Sequence, residues 1–161
     1  MIAILHADKN WGIGRKNDLM FSLPLDMKFF RETTQGKVVI MGYNTLLSLP
    51  NGKPLKNRTN IVLCDKKIQI ENCTVVNSVD EMLKAVSVYD DNDVFVIGGA
   101  SVYKLLLPYC KKVLLTKVDA DGNADVFFPN LDENTDFYLE SESEPISDNG
   151  YTIRFTTYKR R

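Results

Sequence analysis

The chain has 161 residues, 44% of them hydrophobic and 25% charged, which is enough to bury a core unaided and too apolar for a disordered segment. Its 20 basic side chains stand against 21 acidic ones, a balance that argues against nucleic acid or a charged membrane surface as partner. One histidine and three scattered cysteines, Cys64, Cys73 and Cys110, leave no metal cluster and read as reduced thiols of a cytoplasmic protein.

In chain order, MIAILHADKN carries no basic leader, so Ile2–Ala7 reads as a buried first strand and secretion is not expected. The stretch from Asp8 to Ser22 is irregular and long, as functional lids are. Within it the GIG of Gly12–Gly14 precedes the polar RKND rather than a packed helix, so it reads as a hinge of the lid and not as a dinucleotide fingerprint. Helical spacing follows over Leu25–Thr34, a strand over Val38–Met41, and a helix over Thr45–Leu49 with Asn44 as its cap. Strands over Asn60–Leu63 and Thr74–Val76 precede a helix over Val79–Val86 capped by Ser78. A strand over Val94–Ile97, a helix over Val102–Leu107 and a strand over Val113–Val118 complete an α/β alternation in which several strands are apolar on both faces. Beyond residue 119, Phe137–Glu142 and Tyr151–Tyr158 alternate apolar with polar residues, predicting a closing antiparallel hairpin with Ser143–Gly150 as its long connection. No repeat or composition break divides residues 1–161, so one domain is expected.

Two strands end in glycine just before a helix, in VVIMGYNT and VFVIGGASVY. Glycine lets backbone come close to a ligand, and the first-turn N–H groups suit anions, although such junctions also serve merely as turns. Two of them in one small sheet suggest a ligand with more than one phosphate. In NDLMFSLPLDMKFFRE, Asp26 sits among Met20, Phe21, Leu23, Leu25, Met27, Phe29 and Phe30. It reads either as the acid of a helix start after Pro24, or as an acid in an apolar pocket that disfavours its charged form and suits proton chemistry.

In combination, NWGIGRKNDL, SLPLDMKFFRETT, KVVIMGYNT, LPNGKPLKNRTNIVL, VFVIGGASVY, LLTKVDA and DVFFPN resemble the dihydrofolate reductase family over essentially the whole chain. The resemblance implies an eight-stranded, mostly parallel mixed sheet with four flanking helices and the C-terminal antiparallel hairpin. It implies NADPH as cofactor, dihydrofolate as substrate, antifolate inhibitors as further ligands, and a monomer. Asp26 resembles the family's catalytic acid, the ionisable side chain that binds the pterin and promotes protonation at N5, and Thr116 resembles the threonine hydrogen-bonded to it. Ile4 and Ile97 resemble residues whose backbone carbonyls face the pterin, with Leu5, His6 and Tyr103 in the same pocket. Phe30 resembles its aromatic wall, Leu49 and Leu55 the lining of the benzoyl part, and Arg58 the arginine that binds the substrate's α-carboxylate. For the cofactor the resemblance implies Gly42, Tyr43, Asn44 and Thr45 at one turn, Gly98, Gly99, Ala100, Ser101 and Val102 at the other, and Leu63, Cys64, Asp65 and Lys66 at a third strand end. Ala7, Ile13, Gly14, Asn17 and Leu19 match positions where a mobile lid meets the nicotinamide.

The chain departs from the family pattern at four places. Met20 and Phe21 replace a Pro–Trp pair, removing an indole N–H that helps hold a water near the substrate. His6 stands where a small residue is usual. Tyr43 and Asp65 stand where basic or small polar residues usually meet the 2′-phosphate, which predicts weakened discrimination against NADH. Two rival readings are a related pteridine or pyrimidine reductase, which would need no Arg58, and a binding protein that has lost activity.

Overall fold

The computed structural model describes residues 1–161. Strand β1 (Ile2–Ala7) is followed by the short β2 (Gly12–Gly14), helix α1 (Pro24–Thr34), β3 (Val38–Gly42) and helix α2 (Tyr43–Ser48). Next come β4 (Thr59–Leu63), β5 (Cys73–Val76), helix α3 (Val79–Val86), β6 (Val94–Gly98), helix α4 (Ala100–Leu106) and β7 (Lys112–Val118). The chain closes with β8 (Val126–Phe127), β9 (Phe137–Glu142), β10 (Ile146–Asp148) and β11 (Tyr151–Arg160).

The main sheet runs β10-β11-β7-β1-β6-β3-β4-β5, with β9 also on β11. Pairs from β7 to β5 are parallel, and those made by β11 are antiparallel. The expected eight strands are all present, and β10 is an addition inside the segment read as a plain connection. All five residues of β3 are buried, whereas β11 alternates and β9 buries only Phe137, the difference between a sheet covered on both faces and one exposed on one face.

Of the two expected helix caps, one is present and one is not. At α3, Ser78 Oγ accepts from the N–H of Glu81 at 3.1 Å and the Glu81 carboxylate accepts from the N–H of Asn77 at 2.7 Å, a reciprocal cap. At α2, Asn44 is not the cap: the helix begins at Tyr43 with Gly42 in the capping position and no side chain serving it. The winding leaves β6 inserted between β1 and β3, so the carboxyl ends of these three strands meet at the place where sheet order reverses, and clefts form at such points.

Candidate active site

The β1–β6 ladder holds only at Ile2 with Phe95 and Ala3 with Val96, while β1 stays paired to β7 as far as Ala7 with Lys117. Past Ala3 the sheet therefore parts, with Ile4–Ala7 on one side and Ile97–Gly99 on the other. The Tyr103 hydroxyl donates to the Ile4 carbonyl at 2.8 Å, and burial drives the pKa of this phenol far above its usual range, so it is a fixed neutral donor. Phe30 packs with Ile4 and Ile97, while Leu49 and Leu55 share a second cluster that also reaches Ile97.

Asp26 lies in the first turn of α1 and is 9% exposed. Its Oδ1 accepts from the Thr116 hydroxyl at 2.7 Å, and its Oδ2 lies 3.3 Å from His6 Nδ1. His6 and Thr116 are register partners on β1 and β7, so both side chains leave the same face of the sheet. The reading of Asp26 as a mere helix-start acid does not hold, because another carboxylate has that task. Asp148, 3% exposed at the end of β10, accepts from the N–H groups of Leu25 and Asp26, each at 3.1 Å. Leu23, in the capping position, offers no side-chain acceptor, and Pro24 needs none, so the helix start is capped from across the fold. The Asp26 side chain is left for other partners.

Arg58 lies beyond the C-terminal end of the same helix. Its guanidinium donates to the carbonyls of Lys56 at 2.7 Å and Arg31 at 3.2 Å and to Thr34 Oγ1 at 3.2 Å. Three of its donors are used and two remain for an incoming group. Burial first, then the charge of Arg31, lowers its pKa from the usual value. The loop is drawn in by Asn60, 4% exposed, whose amide accepts from the Leu55 N–H and donates to the carbonyls of Leu55 and Arg58.

The two glycine turns touch. A β-carbon at Gly99 would meet Thr45 Oγ1 at 3.3 Å and one at Gly42 would meet Val102 at 3.0 Å, so side chains there would wedge the turns apart. Ala100 and Ser101 open α4, with Ser101 exposed and Val102 buried, and the Gly98–Gly99 peptide is cis. Leu63 packs on the core and Cys64 is a buried free thiol, while Asp65 and Lys66 stand exposed after β4.

The lid is more ordered than its sequence implies. Gly12–Gly14 is not a hinge but the strand β2, paired with β8. Asp8, 4% exposed, accepts from the N–H groups of Asn10, Gly12 and Gly122, tying β1, β2 and the loop before β8 together. Ile13 packs against the core and Gly14 is buried, but Asn17 sits at an exposed turn tip and Leu19 is 59% exposed. Met20 and Phe21 close over Leu23, Val118 and Ile153, with the Phe21 ring 4.9 Å from that of Tyr151.

A family model described as dihydrofolate reductase matches residues 1–160. The chain belongs to the dihydrofolate reductase family. It is 36% identical to the dihydrofolate reductase of Bacillus subtilis, over 100% of this chain and 95% of that protein. It is 37% identical to that of Enterococcus faecium, over 99% and 96%. A solved structure of dihydrofolate reductase from Enterococcus faecalis, complexed with NADP(H) and RAB-propyl, superposes with a TM-score of 0.85 at 32% identity, covering 99% of this chain and 95% of that one. Within this family member, Asp148, Asn60 and Asp8 escaped sequence reasoning. Each lies in a polar loop or strand end that resembles any solvated acid or amide, and only burial singles it out.

Proposed function

We propose that the chain catalyses NADPH-dependent reduction of 7,8-dihydrofolate to 5,6,7,8-tetrahydrofolate, as a single domain whose main sheet links its strands from β10 to β5. The observation that carries this reading is Asp26, a buried carboxylate hydrogen-bonded by Thr116 and 3.3 Å from His6 Nδ1, beside the parting of β1 from β6.

The donor set fits the cofactor. The close turns at Gly42 and Gly99 present bare backbone flanked by Thr45 and Ser101, as an approaching dinucleotide phosphate requires. Bound there, NADPH supplies the hydride. The chain supplies position and a proton path: Asp26 accepts from the pterin's ring nitrogen and amino group, which favours the protonated substrate while C6 receives hydride and N5 a proton. The two free donors of Arg58 form a fork for the α-carboxylate of the glutamate tail, with Arg31 adding positive charge nearby. Leu49 and Leu55 line the path between the two ends, and Met20 and Phe21 help exclude water at the lid.

The test is the initial rate of NADPH oxidation by purified protein with and without 7,8-dihydrofolate, repeated with NADH. Oxidation that requires dihydrofolate and proceeds faster with NADPH is expected. Exposed Asp65 lies next to exposed Lys66, so a measurable NADH rate is also expected; NADH binding as tight as NADPH would overturn the cofactor assignment. Well-folded protein that consumes neither cofactor would reduce the site to a binding site.

A further inference from the structure

His6 is the only histidine in the chain, and it is almost wholly buried beside Asp26, its side chain 7% exposed. Its two ring nitrogens have different surroundings. Nδ1 lies 3.3 Å from Asp26 Oδ2, while Nε2 is buried without any hydrogen-bond partner. The ring faces Phe21 at 6.0 Å between centroids, and phenylalanine has no polar atom to offer it.

From this asymmetry we infer that His6 is a positioning residue for the reaction: its Nδ1–H donates to Asp26 Oδ2 and, with Thr116 on Oδ1, fixes the plane of the carboxylate. The inference rests on the reductase reading for its catalytic consequence but not for its geometry. A carboxylate free to turn about its terminal torsion samples a broad range of orientations. Here Oδ1 accepts from Thr116 and Oδ2 has His6 Nδ1 3.3 Å away, on side chains that the β1–β7 register places as neighbours. Each carboxylate oxygen has lone pairs for two donors, so both remain able to accept from a ligand. Which nitrogen of a histidine carries the proton is set by the hydrogen bond it makes. Nε2 has no acceptor competing for that proton, so Asp26 alone selects the Nδ1–H form. No other ionisable side chain is hydrogen-bonded to the pair; Asp148, the nearest in role, is engaged with the backbone of α1. Phe21, whose ring faces His6, is apolar, so the lid offers no polar partner there and the orienting donor comes from the sheet.

A single histidine makes the test unambiguous. Long-range 1H–15N spectra of the ligand-free protein should show one imidazole, with Nδ1 protonated and Nε2 bare, and Asp26→Asn should shift the Nδ1 resonance. An Nε2–H form, or spectra indifferent to Asp26→Asn, would overturn the pairing. In turnover, His6→Ala should lower kcat by about tenfold, the order expected for one hydrogen bond to a charged group, with little change in the affinity for NADPH. His6→Asn, which keeps an N–H near the Nδ1 position, should recover most of that loss. Equal loss in both variants would show that ring packing alone matters and would contradict the inference, as would no loss in either. If the protein had no reductase activity, the spectra would still decide the pairing, so failure of the function and failure of the pair are separate results.

Discussion

At the N-terminal end of α1, Asp26 and its backbone are held by partners far away in the chain: Thr116 lies 90 residues off and Asp148 lies 122. At the C-terminal end, Arg58 is held by Lys56, Thr34 and Arg31, at separations of 2, 24 and 27 residues. The acid end is thus assembled only when the sheet closes, from strands that cannot shift register without exposing a buried face. The tail end is a loop clamp built on one helix, and it can change without disturbing the sheet. Under the proposed roles the rigid end performs the chemistry, where small displacements are costly, and the local end adjusts affinity.

The largest effect should follow from removing the acid. Asp26→Asn should lower kcat at neutral pH by about a hundredfold or more, the range for a general acid–base group, with the circular dichroism spectrum unchanged. Arg58→Leu should raise KM for dihydrofolate by about tenfold to a hundredfold, the loss of a charge-assisted fork, with kcat nearly kept. Asp148→Ala leaves the N–H groups of Leu25 and Asp26, the second of them buried, without their acceptor and should cost about 1–3 kcal/mol in denaturant unfolding. A smaller change is expected for Asn60→Ala, which frees the loop carrying Leu55 and Arg58: roughly 1 kcal/mol in stability and a KM increase of a few-fold. If Asn60→Ala reduced kcat as severely as Asp26→Asn, the division of labour between the two ends would be wrong.

One pH effect lies outside the site. Burial pushes the Cys110 thiol from 9.0 up to about 11, so above pH 9 the unfolded chain gives up this proton more readily than the folded one. Stability should therefore fall as pH rises from 9 to 11, by roughly 2–3 kcal/mol from this group, and Cys110→Ala should flatten that part of the curve. An unchanged alkaline slope in the variant would remove Cys110 from the explanation.

The contrast between the two ends also explains what was legible in the sequence. Long apolar strands such as Val38–Gly42 and the helical spacing of α1 carry their own period, and both were readable to within a residue or two. The short β2, β8 and β10 have two or three residues each, too few to show any period, and two of them hide in a lid and a connection that composition marks only as polar. Asp26 and Arg58 were singled out through the motifs around them, and the structure places them at opposite ends of α1. Of their supports, Thr116 was named through the resemblance and its hydrogen bond to Asp26 is present, and His6 was marked only as an unusual residue of the pocket; Asp148 and Asn60 gain meaning only from burial. Pairings over a hundred residues leave no local trace in a single chain.

The most direct test measures kcat and KM for dihydrofolate in Asp26→Asn and Arg58→Leu side by side, in one NADPH-oxidation assay. The account predicts a loss confined mainly to kcat in the first variant and mainly to KM in the second. Near-normal turnover in Asp26→Asn, or the same parameter failing in both, would contradict it.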